Sequence, residues 1–220
     1  MGGRDRPERR EVVIVKTGVA NLASVIAAFE RLGADTLVTT DAERVRTAQA
    51  VMLPGVGAFG AGMQALRADD GALAEALRDR FQADRPTMAI CLGLQLLCEA
   101  SEETPGIQGL GILSGQVTRF ADAPHLKVPQ LGWNRVETES DSHIFLEPGF
   151  AYFANSFKLD AAPAGWKAAR AHHGGPFIAA LERGRVLVCQ FHPELSGPWG
   201  MGLMGRWLAR AYAAPSTEVA

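Results

Sequence analysis

The sequence predicts an α/β fold built on a parallel sheet, with an antiparallel addition in its second half. Short apolar runs at residues 12–15, 50–53 and 87–90 are typical of fully buried strands. Segments with helical spacing lie between them, and this alternation is typical of a sheet covered by helices on both faces. Later in the chain, strand-like runs separated by turn residues predominate. We therefore expect one α/β domain rather than two.

The first half is predicted to alternate strands and helices. The first helix follows Asn21, which can act as its N-cap, and ends at Gly33. Four apolar residues at helical spacing define its buried face: Leu22, Val25, Ile26 and Phe29. A strand is predicted at residues 37–39, and Asp41 is expected to cap the next helix. Further helices are expected at residues 62–67, 72–81 and 92–100.

The second half is predicted to contain six strands and a closing helix. The strand-like runs are residues 109–120, 128–136, 151–159, 168–172, 177–182 and 186–191. Residues 182–185 predict a hairpin turn between the last two strands. The closing helix is expected from about Pro198, and one apolar stripe defines its buried face: Met204, Trp207, Leu208 and Ala211.

Composition and charge exclude several classes of function. The net charge of −2 at pH 7 argues against a general nucleic-acid-binding protein. No apolar run reaches the roughly 18 residues that a membrane-spanning helix needs. Residues 1–10 lack the apolar stretch of a secretory signal. We expect a domain over residues 11–213 and disordered termini at residues 1–10 and 214–220.

The three cysteines, Cys91, Cys98 and Cys189, indicate neither a disulfide framework nor a zinc site. They stand in apolar surroundings, without a Cys-x-x-Cys pair or a Cys/His cluster. The phosphate-binding motif GxxxxGK[ST] is also absent from the sequence, and this weakens a nucleotide-binding interpretation. We expect no metal and no cofactor, and a reducing cytoplasm as the setting.

Cys91 stands at the joint between a predicted buried strand and a predicted helix, with Gly93 two residues later. A sharp strand-to-helix turn can present a nucleophile at the edge of a sheet. The positive end of the helix dipole favours the thiolate there. A buried cysteine that only fills space remains an alternative interpretation of this stretch alone.

His192 and Glu194 follow the strand predicted at residues 186–191. The carboxyl ends of parallel strands are where α/β sheets usually carry their sites. Glu194 can accept a hydrogen bond from one ring nitrogen of His192 while the other nitrogen faces a thiol. Together with Cys91 this predicts a nucleophile, a base and an orienting group. A histidine that merely packs at a strand end is the alternative.

The glycine-rich loop at residues 54–60 follows the strand predicted at residues 50–53. Acyl transfer needs donors that point at a developing oxyanion, and glycines allow backbone N–H groups to turn inward. The backbone N–H groups of Gly57 and Leu92 are therefore candidate donors. An ordinary turn or a phosphate-binding loop would fit the same residues.

These motifs, taken in order, resemble the class I (triad) glutamine amidotransferases. The order is Pro-Gly-Val-Gly after a strand, then Ile-Cys-Leu-Gly-Leu-Gln, then Gln-Phe-His-Pro-Glu. Four segments resemble one branch of that family, the glutaminase subunits of imidazole glycerol phosphate synthases. These segments are Gly18 with Asn21-Leu22, residues 54–59 (Pro-Gly-Val-Gly-Ala-Phe), residues 127–134 (Lys-Val-Pro-Gln-Leu-Gly-Trp-Asn) and residues 152–157 (Tyr-Phe-Ala-Asn-Ser-Phe). The resemblance covers residues 12–211.

The resemblance implies a three-layer, flavodoxin-like fold and the hydrolysis of glutamine to glutamate and ammonia. It implies that Cys91 is the nucleophile, His192 the base and Glu194 the group that orients His192. It implies that Gly57 and Leu92 supply the N–H groups of the oxyanion hole. It also assigns the binding of glutamine to five residues: Gly57, Gln95, Asn155, Ser156 and Phe157. The partner that it implies is a (β/α)8-barrel cyclase subunit in a heterodimer. That subunit receives the ammonia and makes imidazole glycerol phosphate and an aminoimidazole carboxamide ribotide in histidine biosynthesis.

The sequence departs from the family pattern at several positions. Ala89 replaces the first glycine of the usual elbow, and Lys16 replaces an acid at the end of the first strand. Gln130 and Asn155 stand where histidine is common, Phe157 where tyrosine is common, and Leu195 where many relatives have lysine. We expect these changes to affect contacts with the partner rather than the hydrolytic chemistry.

Three alternatives stay open from the sequence. A triad glutaminase could feed another ammonia acceptor, as the glutaminase of pyridoxal phosphate synthase does. A γ-glutamyl hydrolase could act without a partner. A binding or regulatory module could have kept the fold without catalysis, although the triad of Cys91, His192 and Glu194 argues against that.

Overall fold

The computed structural model describes residues 10–18, 22–139 and 143–214, and it confirms the predicted α/β fold. Its strands are β1 (Arg10–Val15), β2 (Ala34–Thr39), β3 (Ala50–Leu53), β4 (Thr87–Ile90), β5 (Cys98–Ser101), β6 (Leu113–Arg119), β7 (Gln130–Thr138), β8 (Gly149–Asn155), β9 (Phe157–Lys158), β10 (Lys167–His172), β11 (Pro176–Arg183) and β12 (Val186–Cys189). Its α-helices are α1 (Leu22–Arg31), α2 (Ala42–Thr47), α3 (Phe59–Arg67), α4 (Ala72–Gln82), α5 (Leu92–Leu97) and α6 (Gly197–Ala211).

Nine strands form one mixed sheet in the order β2-β1-β3-β4-β12-β11-β10-β7-β8. Neighbours from β2 to β12 run parallel, and neighbours from β12 to β8 run antiparallel. The predicted antiparallel addition is therefore part of the central sheet, joined to the parallel half where β12 lies beside β4. A second sheet contains β5, β6 and β9. The carboxyl ends of β3, β4 and β12 meet at one edge of the large sheet.

Both faces of the large sheet are covered by helices. Successive side chains of a strand point to opposite faces, so each strand contributes to the core on either side. Along β1, Val12 and Ile14 belong to the core that contains α1 and α6, while Val13 and Val15 belong to the core that contains α2 to α5. This is the expected three-layer arrangement. The predicted stripe of α6 is buried in the first core at all four positions: Met204, Trp207, Leu208 and Ala211.

Several local predictions are confirmed by backbone geometry. Asp41 caps α2, since its carboxylate accepts two backbone N–H groups of the first turn at 2.9 and 3.1 Å. The hairpin between β11 and β12 turns at Gly184, whose φ is +55°. The strand predicted at residues 151–159 is instead two strands, β8 and β9, which belong to different sheets.

Some predictions fall on the residues that lie outside the described part of the chain. Asn21, the expected cap of α1, is one of them, and so are residues 1–9 and 215–220 of the two termini expected to be disordered. Arg10 is described and begins β1. The domain limits at residues 11 and 213 stay a prediction.

The helix predicted at residues 92–100 is too long. α5 ends at Leu97, and Cys98 begins β5, which pairs in parallel with β6. The carbonyl oxygens of Leu96 and Leu97 accept the N–H groups of Leu110 and Ile112, at 2.9 and 2.8 Å. Because the returning chain satisfies these carbonyls, the extended conformation replaces another helical turn. Cys98 is a buried core residue, as expected, but it lies on a strand.

A buried carboxylate on β11 fixes the segment that leads into β8. Glu182 is fully buried and accepts the backbone N–H groups of Ile144, Phe145 and Leu146. Nδ1 of His143 lies 3.1 Å from the same carboxylate. A buried charge is stable only where such donors replace its lost hydration. Glu182 therefore holds residues 143–146 against the core of the sheet.

Replacing Glu182 by glutamine should destabilise the fold, because the amide keeps the shape of the side chain but loses the charge. We expect the free energy of unfolding in urea to fall by about 2 kcal/mol, the scale of hydrogen bonds to a charged group. Glu137→Gln, which alters an exposed glutamate, is the control and should change stability by less than about 0.5 kcal/mol. Equal effects of the two substitutions would contradict this role of Glu182.

Candidate active site

A cavity of about 280 Å³ opens at the edge of the sheet where β3, β4 and β12 end. It brings together eight residues that the sequence singled out, namely Gly57, Cys91, Leu92, Gln95, Asn155, Ser156, Phe157 and His192. Val56, Glu103 and Ala154 complete the wall. Segments that are far apart in the sequence therefore meet in one concave site.

Cys91 forms the joint between β4 and α5 in a strained backbone conformation. Its φ of 54° and ψ of −112° are rare for a residue with a side chain. Its N–H donates to the carbonyl oxygen of Cys189 at 2.7 Å, which extends the pairing of β4 with β12 by one residue. The predicted sharp turn is thus present, and it aims Cys91 into the cavity.

Two glycines allow the elbow to pack against the end of β3. A β-carbon on Gly93 would lie 2.2 Å from the carbonyl oxygen of Leu53, and one on Gly55 would lie 2.6 Å from the β-carbon of Leu92. Both distances are too short for any side chain, so glycine is required by close approach. Ala89 stands two residues before Cys91, inside β4, and its small side chain is fully buried.

His192 and Glu194 form a hydrogen-bonded pair beside Cys91. Nδ1 of His192 donates to Oε1 of Glu194 over 2.8 Å, and both side chains are almost completely buried. The N–H of His192 donates to the carbonyl oxygen of Tyr152, which ties the pair to β8. Ser196 Oγ donates to the carbonyl oxygen of His192 at 2.6 Å and accepts the N–H of Tyr152 at 2.9 Å. The short 3-10 turn at Pro193–Leu195 holds Glu194 in place.

The surroundings of His192 favour its protonated form. Burial by itself would lower its pKa, because the imidazolium loses hydration. Side-chain hydrogen bonds and charge attraction from Cys91 and Glu194 outweigh burial and raise the pKa of His192 to about 10. The ring therefore carries its second proton at neutral pH, next to the sulfur of Cys91.

The candidate oxyanion donors lie where the sequence placed them, but one is already in use. Gly57 has a φ of +105° and lines the cavity. The N–H of Leu92 donates to the carbonyl oxygen of Gly55 at 3.2 Å. This N–H can meet an oxyanion only after the carbonyl of Gly55 turns away, at a cost of about 1 kcal/mol for a neutral hydrogen bond.

The side-chain amides of Gln95 and Asn155 both donate to the carbonyl oxygen of Phe157 in the cavity wall. Nε2 of Gln95 donates to the carbonyl oxygen of Phe157 at 3.3 Å and to Oε1 of Gln190 at 3.1 Å. Both amide protons are thereby used, so Oε1 of Gln95 is the atom left to contact a ligand. Nδ2 of Asn155 donates to the same carbonyl at 2.9 Å, while its Oδ1 is buried without a hydrogen-bond partner.

Glu103 is a cavity residue that the sequence reasoning missed. Its carboxylate accepts the N–H of Phe59 at 2.6 Å, and the residue lines the cavity. Gln190 was quoted only as part of the Gln-Phe-His-Pro-Glu motif, yet its amide contacts both Gln95 and Cys91. The sequence carries no local signal for either role, because each depends on contacts between distant segments.

Like Ala89, three other departures from the family pattern lie outside the cavity lining. Lys16 is exposed just after β1, and Leu195 is 42% exposed in the 3-10 turn that holds Glu194. Gln130 is buried at the start of β7, directly opposite Asn155 on β8. Asn155 and Phe157 do line the cavity.

The described part of the chain contains neither a metal-binding cluster nor a membrane-spanning helix. Across residues 10–18, 22–139 and 143–214, no group of three or more His, Cys, Asp or Glu side chains is arranged to hold a metal ion. In the same residues, every helix is too short or too polar to cross a membrane.

Comparison with known sequences assigns the chain to a family. The family described as glutamine amidotransferase class-I matches residues 13–208. The HisH subunit of imidazole glycerol phosphate synthase from Deinococcus radiodurans is 39% identical, over 90% of this chain and 92% of the relative. The HisH subunits from Symbiobacterium thermophilum and Synechococcus elongatus are 40% and 37% identical, and the matches cover 89% and 96% of this chain and 92% and 98% of the relatives.

The chain therefore belongs to the class-I glutamine amidotransferase family, and within that family to the HisH subunits of imidazole glycerol phosphate synthase. Solved structures agree on the fold. A glutamine amidotransferase crystal structure matches with a TM-score of 0.72 and 20% identity, covering 92% of this chain and 99% of that one. The PurLQS structure from Thermotoga maritima matches with a TM-score of 0.70 and 18% identity, covering 91% and 98%.

The protonation of His192 gives a direct test of the site. We expect its ring to titrate in NMR spectra well above the ordinary midpoint of 6.5, and Glu194→Gln to lower that midpoint because a negative charge is lost. Since the folded-state pKa is the higher one, this interaction stabilises the fold fully below pH 6.5 and is lost as the pH rises towards about 10. A midpoint near 6.5 in the unaltered chain would contradict the geometry of the pair.

Proposed function

We propose that this chain hydrolyses glutamine to glutamate and ammonia with Cys91, His192 and Glu194 as its catalytic triad. We further propose that the ammonia passes to a (β/α)8-barrel cyclase subunit, which uses it to make imidazole glycerol phosphate and an aminoimidazole carboxamide ribotide in histidine biosynthesis. The single observation that carries the hydrolytic step is the strained Cys91 facing the His192–Glu194 pair in one cavity.

The first half of the reaction forms a thioester. Sγ of Cys91 attacks the side-chain amide carbon of glutamine, and the thiol proton resides on His192. The tetrahedral intermediate collapses when His192 gives that proton to the amide nitrogen, which leaves as ammonia. The raised pKa of His192 suits this step, because the ring holds the proton until the nitrogen needs it.

The second half regenerates the enzyme. A water molecule attacks the thioester carbon and gives a proton to His192, and the second tetrahedral intermediate releases glutamate and returns the sulfur to Cys91. Glu194 holds the Nδ1 side of the ring throughout, so that Nε2 stays directed at the reacting atoms. Holding the groups in this geometry removes much of the entropic cost of bringing them together.

The polarity of the cavity fits the α-ammonium group of glutamine. Oε1 of Gln95 and the carboxylate of Glu103 are acceptors at its wall, and Glu103 adds a negative charge. A cation with several N–H donors satisfies such a set. The binding of glutamine in this proposal is completed by Gly57, Asn155 and the backbone at Ser156 and Phe157.

The oxyanion hole of this proposal consists of the N–H groups of Gly57 and Leu92. The bond from Leu92 to the carbonyl oxygen of Gly55 has to open before Leu92 can stabilise the tetrahedral intermediates. We therefore expect weak turnover by the isolated chain. A partner that moves the loop at residues 54–58 would raise kcat more than it changes binding of glutamine.

The proposed docking site for the cyclase is an apolar patch beside the cavity. The patch consists of Leu131, Trp133, Phe150 and Leu195, which are 67, 58, 58 and 42% exposed. Leu131 pairs with Ala154, whose neighbour Asn155 lines the cavity, so the patch and the cavity share β8. Exposed apolar groups clustered in this way indicate an interface with another protein. Ammonia released at Cys91 would then emerge close to that partner.

The patch also separates this proposal from its alternatives. A stand-alone γ-glutamyl hydrolase does not need an exposed apolar surface next to its site, and a non-catalytic module does not need a strained cysteine. A glutaminase that feeds another acceptor would share all these features, so the matched partner in the experiment below decides between them. We keep the cytoplasmic setting as a proposal, which the three free, buried cysteines support.

Glutamate release in the presence of the cyclase subunit and its ribonucleotide substrate tests the triad. Cys91→Ala should lower turnover at least about 10³-fold, because no other group can form the thioester. Glu194→Gln should lower it less, since the nucleophile and the ring remain. Cys98→Ala removes a buried thiol outside the cavity and is the control. Near-normal turnover by Cys91→Ala would refute the assignment, and strong activity unaffected by the cyclase would favour a stand-alone hydrolase.

Trp133→Asp tests the docking patch, since a charge at its centre should oppose burial against a partner. We expect the activation of glutamate release by the cyclase to require at least about tenfold more cyclase, while alkylation of Cys91 in the isolated chain stays unchanged. Gln82→Asp places the same charge on an exposed position at the other end of the sheet and should behave as the unaltered chain. Normal activation of the Trp133 variant would place the partner elsewhere.

A further inference from the structure

The side chain of Gln190 lies between the nucleophile and the wall of the cavity. Gln190 is fully buried in the segment that joins β12 to His192. Its Oε1 accepts from Nε2 of Gln95 at 3.1 Å, and its own Nε2 lies 3.8 Å from Sγ of Cys91, as a donor to the sulfur. Its backbone N–H is satisfied separately by the carbonyl oxygen of Ala179 at 2.8 Å. The side-chain amide of Gln190 is therefore available to bond to the side chains of Gln95 and Cys91.

The direction of these hydrogen bonds follows from one fixed atom. The carbonyl oxygen of Phe157 can only accept, so the nitrogen of the Gln95 amide must face it. The same nitrogen donates its second proton to Gln190, which must therefore present its oxygen to Gln95. This leaves the NH₂ group of Gln190 facing Cys91. A flipped amide would bring two donors together and an oxygen against the sulfur.

The burial of Gln190 makes a purely structural amide unfavourable. The residue is fully buried, so its side-chain amide depends on protein partners for its hydrogen bonds. A glutamine in such surroundings costs free energy unless its hydrogen bonds are made, and an apolar residue of the same size would pack without that cost. The contacts that the amide makes are therefore the reason to look for a role in the reaction.

We propose that Gln190 is a positioning residue that favours the thiolate of Cys91 and holds Gln95 with its acceptor oxygen towards the substrate. This inference rests on the proposed glutaminase activity and deepens it. A donor to the sulfur stabilises the charged form that attacks the amide carbon. The acceptor for Gln95 removes that amide's second donor from the cavity, which favours an ammonium group over a carboxylate at this point of the wall.

The pH dependence of Cys91 alkylation by iodoacetamide tests the first part. The reaction follows the thiolate and requires neither glutamine nor the cyclase. Labelling is confined to Cys91, because burial raises the pKa of Cys98 to about 12 and that of Cys189 well above its ordinary value; Cys91→Ser checks this. In Gln190→Met we expect the midpoint of alkylation to rise by about one pH unit, a tenfold loss of thiolate stabilisation.

Gln95→Met is the matched control, because it makes the same substitution one hydrogen bond further from the sulfur. It should raise the KM for glutamine in the complex with the cyclase and shift the alkylation midpoint less than Gln190→Met does, because the NH₂ group of Gln190 stays beside the sulfur. Gln190→Met should raise the KM and also lower kcat. The difference between the two variants separates an effect on the sulfur from a general disturbance of the cavity, because a general disturbance would change both variants in the same way.

The possible outcomes distinguish this inference from the proposed function. An unchanged alkylation midpoint in a folded Gln190→Met chain, checked by urea unfolding, would overturn the inference. If that variant does not fold, Gln190→Leu takes its place, and failure of both to fold would overturn it in favour of a structural role. Absence of glutamate release from the unaltered complex would refute the glutaminase activity, but the alkylation result would still stand by itself.

Discussion

The backbone of Cys91 is the constraint on which the rest of the site depends. A φ of 54° at a residue with a side chain is costly, and here it persists because the chain is fixed on both sides. The bond to the carbonyl oxygen of Cys189 holds the end of β4, and the contact of Gly93 with Leu53 holds the start of α5. Relaxing either contact would swing the sulfur away from His192. These two contacts therefore keep Cys91 in its strained conformation and its sulfur at the edge of the sheet.

The strands beyond β4 bring His192, Glu194 and part of the cavity wall to Cys91. β12 runs beside β4 and is followed by His192 and Glu194, while β8 ends at Asn155 and β9 begins at Phe157. Because β8 also carries part of the apolar patch, any partner that covers the patch touches a strand that lines the cavity. This gives a short physical route by which docking could change turnover, through one strand rather than through a chain of distant contacts.

The sequence predicts those parts of the molecule whose signals are local. Uninterrupted apolar runs between turn residues give the bounds of β3 and β4 without error. The end of α5 could not be predicted, because the carbonyl oxygens of its last turn are satisfied by a segment more than ten residues further on. Glu103 and Gln190 were missed for the same reason. Glu103 bonds to a residue 44 positions away, and Gln190 bonds to one 99 positions away. The triad was predicted from the positions of Cys91, His192 and Glu194 after predicted strands and then from the family resemblance, and its catalytic role stays a prediction.

The most direct test of the account is covalent labelling with a glutamine analogue that carries an electrophilic group at the γ position, followed by intact-mass and peptide mass spectrometry. The account predicts one adduct per chain, located on Cys91, slowed by competing glutamine and by His192→Ala, and absent in Cys91→Ser. Labelling of another residue, or labelling of Cys91 that glutamine does not slow, would contradict the claim that this cavity binds glutamine and that Cys91 attacks it.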